Sequence, residues 1–198
     1  MDEHRLGLVD DFTKQYALKK MIYVNSILDI GANMGCSALY FASVYPHARL
    51  ECIEPVAEST ELLKENLRLN NINADVHDFG IGSKPGTTWI NVVRDNPNQA
   101  SIHLDGVHKR EIQVRPLDSL GKQFDLIKFD IEGAEYELVQ GGQKTLLQAK
   151  CLFGEIHEDL LGPTKSKYVV DWIKQYFDME VHPIRQGLYT FVAYRKAR

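Results

Sequence analysis

Asp29, Glu54, Asp130, Glu132, Glu155 and His157, with Gly31, Asn33 and Gly35, are the residues whose types and spacing could do chemistry. The first group stands in ILDIGANMG, Ile27 to Gly35. A short apolar run holding Asp29 ends at a turn bracketed by Gly31 and Gly35, and a helical pattern (CSALYFASVY) follows. A buried strand, a glycine turn and a helix start are what a nucleotide-type ligand needs at the carboxyl end of a parallel sheet. The spacing excludes two uses of that turn. Asn33 stands where G-x-G-x-x-G needs its second glycine, and no G-x-x-x-x-G-K-[ST] occurs in the chain. A pyrophosphate-binding dinucleotide turn and a P-loop are therefore both disfavoured. Glu54 closes the next apolar strand, RLECIE, about 20 residues beyond the glycines, where an acid can accept from two ribose hydroxyls. The second group, KFDIEGAE (Lys128–Glu135) and GEIH (Gly154–His157), gathers groups able to bind cations or move protons. Glu155 and His157 are two apart on one strand and so share a face.

The remaining pattern, acid-x-G-x-x-x-G, resembles the first motif of class I S-adenosylmethionine (SAM) methyltransferases. SAM has an amino acid, a ribose and an adenine but no phosphate. Asp29 is expected to attract its ammonium group, the amides at Gly31, Asn33 and Gly35 to face its carboxylate, and Glu54 to take the ribose. Asp78 and Phe79 end the third strand and are expected at the adenine, and Asp130, ending the fourth strand beside the first, is expected to contact the cofactor as well.

A wider set of residues resembles the FkbM-type methyltransferases: DIGANMG (Asp29–Gly35), Glu54-Pro55, the turn Lys84–Gly86, RPLDSL (Arg115–Leu120), KFDIEGAE with Gly141, and GEIH. The resemblance runs from about Ile27 to His157, and Gly80 stands where that family usually has alanine. It implies SAM-dependent methyl transfer to an oxygen of a sugar or other natural-product hydroxyl. It also places the strand of Glu155 and His157 beside that of Asp130, so that these residues converge. Methyl transfer needs nucleophile and methyl held in near-attack geometry and a base for the hydroxyl proton. The candidates are Asp130, Glu132, Glu155 and His157. His157, oriented by Glu155, titrates near working pH and suits a base. The same four residues could instead hold a divalent metal, which is possible but not expected. In a third reading Glu132 and Glu135 only cap a helix start, while Glu155 and His157 bond neighbouring loops.

The elements that must position these groups follow from periodicity and turn residues. Residues 1–24 form an N-terminal helical segment. Strands are expected at Ile27–Ile30, Arg49–Glu54, Ala74–Asp78, Asp125–Asp130 and Cys151–His157. Helices are expected at Ser37–Val44, Val56–Asn70 with Leu62, Leu63 and Leu67 inward, Ala134–Val139 ending at Gly141-Gly142, Lys144–Ala149, and Tyr168–Phe177. Met179–His182 and Leu188–Tyr194 form a closing antiparallel pair. Residues 83–118 break the βα rhythm. Turn signals at Lys84-Pro85-Gly86, Asn96-Pro97-Asn98 and Asp105-Gly106 separate Thr87–Val93, Ala100–Leu104 and Glu111–Arg115, which read as a β-rich insertion long enough to cover a substrate. The whole is one α/β domain over 1–198. It is a Rossmann-like class I methyltransferase fold with a mostly parallel seven-stranded sheet and helices on both faces.

Composition narrows the partners. The chain has 198 residues, 44% of them hydrophobic and 25% charged, and a formal net charge of −4. These are ordinary globular values, and the negative balance makes nucleic acid an unlikely partner. No apolar run approaches the roughly 20 residues of a membrane span. The N-terminus shows neither the basic nor the apolar region of a signal peptide. Cys36, Cys52 and Cys151 form no C-x-x-C and read as buried thiols in a reducing, cytoplasmic setting. The expected function is SAM-dependent O-methylation of a small-molecule or glycan hydroxyl. Alternatives are an RNA or protein methyltransferase on the same scaffold, a non-catalytic SAM-binding partner subunit, and a nicotinamide dehydrogenase, which Asn33 disfavours. The oligomeric state is not legible.

Overall fold

A computed structural model describes residues 22–93, 96–101 and 108–197. The main sheet has seven strands: β1 (Ser26–Ile30), β2 (Arg49–Ile53), β3 (Ala74–His77), β8 (Leu126–Phe129), β9 (Cys151–His157), β10 (Phe177–Arg185) and β11 (Leu188–Arg195). Their order is β10-β11-β9-β8-β1-β2-β3. β1, β2, β3, β8 and β9 run parallel. β11 is antiparallel to both β9 and β10. β8, LIKF, is buried throughout, as parallel strands covered on both faces must be. The chain leaves β1 toward β2 and β3 on one side and returns to β8 on the other, so β1 and β8 meet at the switch point where open α/β sheets bind ligands.

The helices are α1 (Cys36–Val44), α2 (Ala57–Leu69), α3 (Glu135–Leu146), α4 (Glu158–Leu161) and α5 (Pro163–Tyr176). On α2, Leu63 and Leu67 turn inward with Ser59 and Thr60. Leu62 is exposed instead, because its position falls beside the buried stripe. Cys36 is also exposed, at the first turn of α1, while Cys52 and Cys151 are buried as expected.

α3 corrects two expectations at once. It runs unbroken through Gly141 and Gly142, where a helix end and a new start were expected. Both glycines are buried within the helix. A Cβ on Gly141 would lie 2.5 Å from the Gly82 carbonyl oxygen, and one on Gly142 would lie 3.0 Å from Leu117 Cβ. The glycines let the helix lie against the backbone at Gly82 and against the 3₁₀ turn Leu117–Leu120. Asp118 in that turn accepts from Thr145 N–H at 2.8 Å and from its hydroxyl at 2.9 Å.

The insertion forms a second sheet of β4 (Gly80–Ile81), β5 (Gly86–Val93), β6 (Asn96–Ser101) and β7 (His108–Arg115), ordered β4-β7-β5-β6. β5 is antiparallel to β6 and β7, whereas β4 is parallel to β7. The sheet therefore begins at Gly80, ahead of residue 83. Asn96-Pro97-Asn98, expected as a turn, opens β6, where pairing with β5 overrides local turn preference. Residues 1–21, most of the expected N-terminal helical segment, and Asp105-Gly106 lie outside the described residues. Among the described residues no helix is long and apolar enough to cross a membrane.

Candidate active site

A cavity opens at the tips of β1, β2 and β8 and is closed on one side by the second sheet. The main sheet and its turns contribute Ile30, Gly31, Asn33, Glu54, Asp130 and Glu132. The facing wall is apolar: Val56, Ile81, Ile90, Ile112 and Val114. Gly80 belongs to this wall. A Cβ there would lie 2.8 Å from Ile112 Cδ1, so an alanine at this position would crowd β7.

The floor is set by the Gly31–Gly35 turn. Gly31 has φ +73°, and a Cβ on it would fall 1.8 Å from the Asp130 carbonyl oxygen. Only glycine fits so close an approach in that conformation. Asn33 also has positive φ, at 50°, and its backbone N–H donates to Glu54 Oε2 at 2.9 Å. Val56 N–H donates to Glu54 Oε1 at 2.9 Å. The Glu54 carboxylate is thus fixed at the β2 tip by one amide from each side. Burial raises its pKa, and the two backbone donors only partly oppose that.

The structure does not bring every expected residue to this cavity. Asp29 is fully buried and is absent from the lining. It pairs across the register with Lys128 of β8, Nζ to Oδ1 at 3.0 Å, and accepts from Ser37 Oγ at 2.5 Å. Lys128 Nζ also donates to the Gly31 carbonyl at 2.9 Å. The acid expected to attract an ammonium group is therefore already neutralised and holds the turn and the start of α1. Gly35 packs against Leu63 rather than facing the cavity. Phe79 is buried in the core, with the Arg115 guanidinium 4.8 Å over its ring. Asp78 is exposed. Neither lines the cavity, because the chain turns into β4 there and presents Gly80 and Ile81 instead.

Asp130 and Glu132 join the cavity to a second feature. β9 lies beside β8 and brings His157 to the same tips. Its Nε2 stands 3.4 Å from Glu132 Oε2, 3.6 Å from Glu155 Oε2 and 3.8 Å from Asp130 Oδ1. All four expected residues are assembled, as the resemblance implied. The partner that orients the ring is different. His157 Nδ1 bonds Glu135 Oε1 at 2.7 Å, and Glu135 is fully buried at the start of α3. Burial lowers the imidazole pKa. The hydrogen bond to Glu135 and the charges of Glu135, Glu132 and Asp130 outweigh it and push it up to about 9. That shift favours the protonated ring, which has no lone pair to accept a proton. Burial pushes the Glu132 carboxyl up, with the His157 charge opposing and Asp130 and Glu135 adding. Asp130, Glu155 and His157 offer ligand atoms within 4.8 Å of one another, a set that could hold a metal ion.

Lys128, Glu135 and the apolar wall were missed as site components. Lys128 and Glu135 stood inside a recognised motif. Their signal was a lysine within an otherwise apolar buried strand and an acid on the inward side of an amphipathic helix, both of which demand buried partners.

Comparison with known proteins agrees with this architecture. The protein is similar to the 2-O-methyltransferase NoeI of Sinorhizobium fredii (strain NBRC 101917 / NGR234), 28% identical over 158 residues. That alignment covers 68% of this chain and 64% of the relative. It is similar to Methyltransferase sdnD of Sordaria araneosa, 25% identical over 153 residues, covering 58% and 59%. The chain thus spans about three fifths of these curated relatives' lengths. Among solved structures, a fibrillarin/Nop5p complex chain superposes with TM-score 0.63 at 17% identity, covering 96% of this chain and 81% of that one. A putative rRNA methylase from Clostridium thermocellum does so with TM-score 0.59 at 10% identity, covering 97% and 96%. At such identities the likeness is one of fold, a Rossmann-like methyltransferase sheet. The family model described as the methyltransferase FkbM domain matches residues 29–184, past His157 where the sequence motifs end. That match spans well over half of the chain, which belongs to the FkbM methyltransferase domain family.

Proposed function

We propose that the protein transfers a methyl group from SAM to a hydroxyl of a sugar or natural-product small molecule. The observation that carries this reading is the charge of the cavity. Its lining holds three carboxylates, Glu54, Asp130 and Glu132, and no lysine, arginine or histidine among the described residues. A cationic sulfonium donor suits such a wall, whereas a dinucleotide pyrophosphate would be repelled. The residues fit SAM in detail. Glu54, held by two backbone amides, leaves lone pairs for the ribose hydroxyls, and the apolar wall of Ile81, Ile90 and Ile112 offers a face for the adenine. SAM supplies an electrophilic methyl group on sulfur.

The chain's own task is to place the acceptor oxygen and to take its proton. Glu132 lines the cavity and reaches the His157 cluster, so it is assigned as proton acceptor. Asp130 and Glu155 position the acceptor. The name of the NoeI relative, a 2-O-methyltransferase, supports an oxygen acceptor. Methyl transfer from labelled SAM to a panel of saccharides and natural-product alcohols tests the reading. Glu132→Gln should lose about 10²-fold or more of turnover. Labelling of RNA or protein but of no alcohol would contradict it.

A further inference from the structure

Three carboxylates from three successive positions of the fold converge on one buried imidazole nitrogen. Asp130 follows β8, Glu132 stands in the turn before α3, and Glu155 lies on β9. The His157 side chain is 3% exposed, and its Nε2 points into this group. We propose that Asp130, Glu155 and His157 bind a divalent cation of the manganese or zinc class, at the wall this cluster shares with the cofactor cavity.

The spacing is the first argument. A ring N–H bonded to a carboxylate lies at about 2.7–3.2 Å. Nε2 stands at 3.4, 3.6 and 3.8 Å from its three oxygens. Two donors that share an ion at about 2.1 Å are about 3.0–3.4 Å apart, for octahedral or tetrahedral angles; the Glu155 and Asp130 oxygens, at 3.6 and 3.8 Å, stand just outside that span and would draw in on binding. The second argument is an orphaned atom. Asp130 Oδ1, which faces Nε2, is buried with no hydrogen-bond partner. An ion between the two would satisfy both.

The third argument is the back of the ring. Nδ1 is held by fully buried Glu135 at 2.7 Å. Metal-ligating histidines are typically held this way, with the outer carboxylate fixing the tautomer and leaving the other nitrogen as donor. The charge agrees, since Asp130, Glu132, Glu135 and Glu155 surround a single imidazole. The nearby Arg185 is engaged by Asp159 at 2.5 Å. One imidazole with carboxylates suits manganese or zinc better than calcium or magnesium, which prefer all-oxygen sets. Such an ion would bind the acceptor hydroxyl and lower its pKa, with Glu132 beside it to take the proton. That use rests on the methyl-transfer reading; the binding itself does not.

The test is Mn²⁺ and Zn²⁺ binding to chelator-stripped protein, by calorimetry and by Mn²⁺ electron paramagnetic resonance, with no cofactor present. One equivalent should bind. Asp130→Asn and Glu155→Gln, which keep side-chain shape, should each weaken it by roughly tenfold or more, while Glu61→Gln on exposed α2 should not. No uptake at millimolar metal, or undiminished affinity in both cluster variants, overturns the site. SAM titrated separately keeps the two proposals apart. Metal uptake without SAM binding refutes the methyl-transfer reading alone, and SAM binding without metal uptake refutes this site alone.

Discussion

Asp29 and Lys128 stand opposite each other in the register of β1 and β8, buried together. In the linear sequence they are a motif acid and an unassigned lysine. Their pairing determines what each does, and pairing is a property of two strands that neither strand's pattern contains. Gly31, Asn33, Glu54 and Asp130, by contrast, were placed at one crevice by their positions at strand ends, and they do line one cavity. Asp78 and Phe79 were assigned by the same rule, but the turn into β4 carries them away from it. Lys128→Met would leave the Asp29 charge buried, with Ser37 as its remaining side-chain partner among the described residues. Breaking a buried pair in this way costs about 3–5 kcal/mol. Denaturant unfolding should register that loss, and a change below about 1 kcal/mol would show that Asp29 is not held by this pair. Gly31→Ala should fail more severely, because its Cβ would overlap the Asp130 carbonyl.

At the scale of elements, periodicity revealed nearly every strand and helix, because buried parallel strands and amphipathic helices are dictated by which faces meet the core. Glycine misled it within α3. Two adjacent glycines ordinarily mark a helix end, yet here they permit contact with Gly82 and Leu117. Gly141→Ala gains about 1 kcal/mol of helix propensity but places a Cβ 2.5 Å from a carbonyl oxygen. A net loss of about 1–3 kcal/mol is expected, and a raised melting temperature would contradict the packing.

β2 carries a second element-scale prediction. Glu51 is buried and bonded by Lys122, His77 and Arg49. Burial raises its pKa, but the bonds to Lys122 and His77 and the charges of Lys122 and Arg49 outweigh it and hold it below the usual range. A carboxyl depressed in the folded state stabilises fully above its unfolded value, near 4.5. That contribution is lost as pH falls through the folded value. Glu51→Gln should therefore cost about 1–2 kcal/mol near neutrality, and the gap from wild type should shrink below pH ~4. A gap independent of pH would mean that packing, not charge, holds Glu51.

The whole molecule joins two sheets around one cavity. The first sheet supplies acids at parallel strand tips, and the second supplies the apolar wall of Ile81, Ile90 and Ile112. The insertion was legible as β-rich from its turn residues and β-formers, but its role as a wall was not. That role depends on the β4–β7 pairing, which joins residues more than 30 positions apart in sequence. Cluster and cavity share Asp130 and Glu132, while Glu54 lines the cavity alone and Glu155 belongs to the cluster alone, so cofactor binding and acceptor chemistry are separable by mutation at Glu54 and Glu155. The most direct measurement is calorimetry of the protein with SAM, beside the Glu54→Gln variant and with NADH as control. SAM should bind at one site and Glu54→Gln should weaken it at least tenfold, about 1.4 kcal/mol or more, with no heat from NADH. Wild-type SAM affinity in the variant, or tight NADH binding in place of SAM, would contradict a sulfonium cofactor at these strand tips.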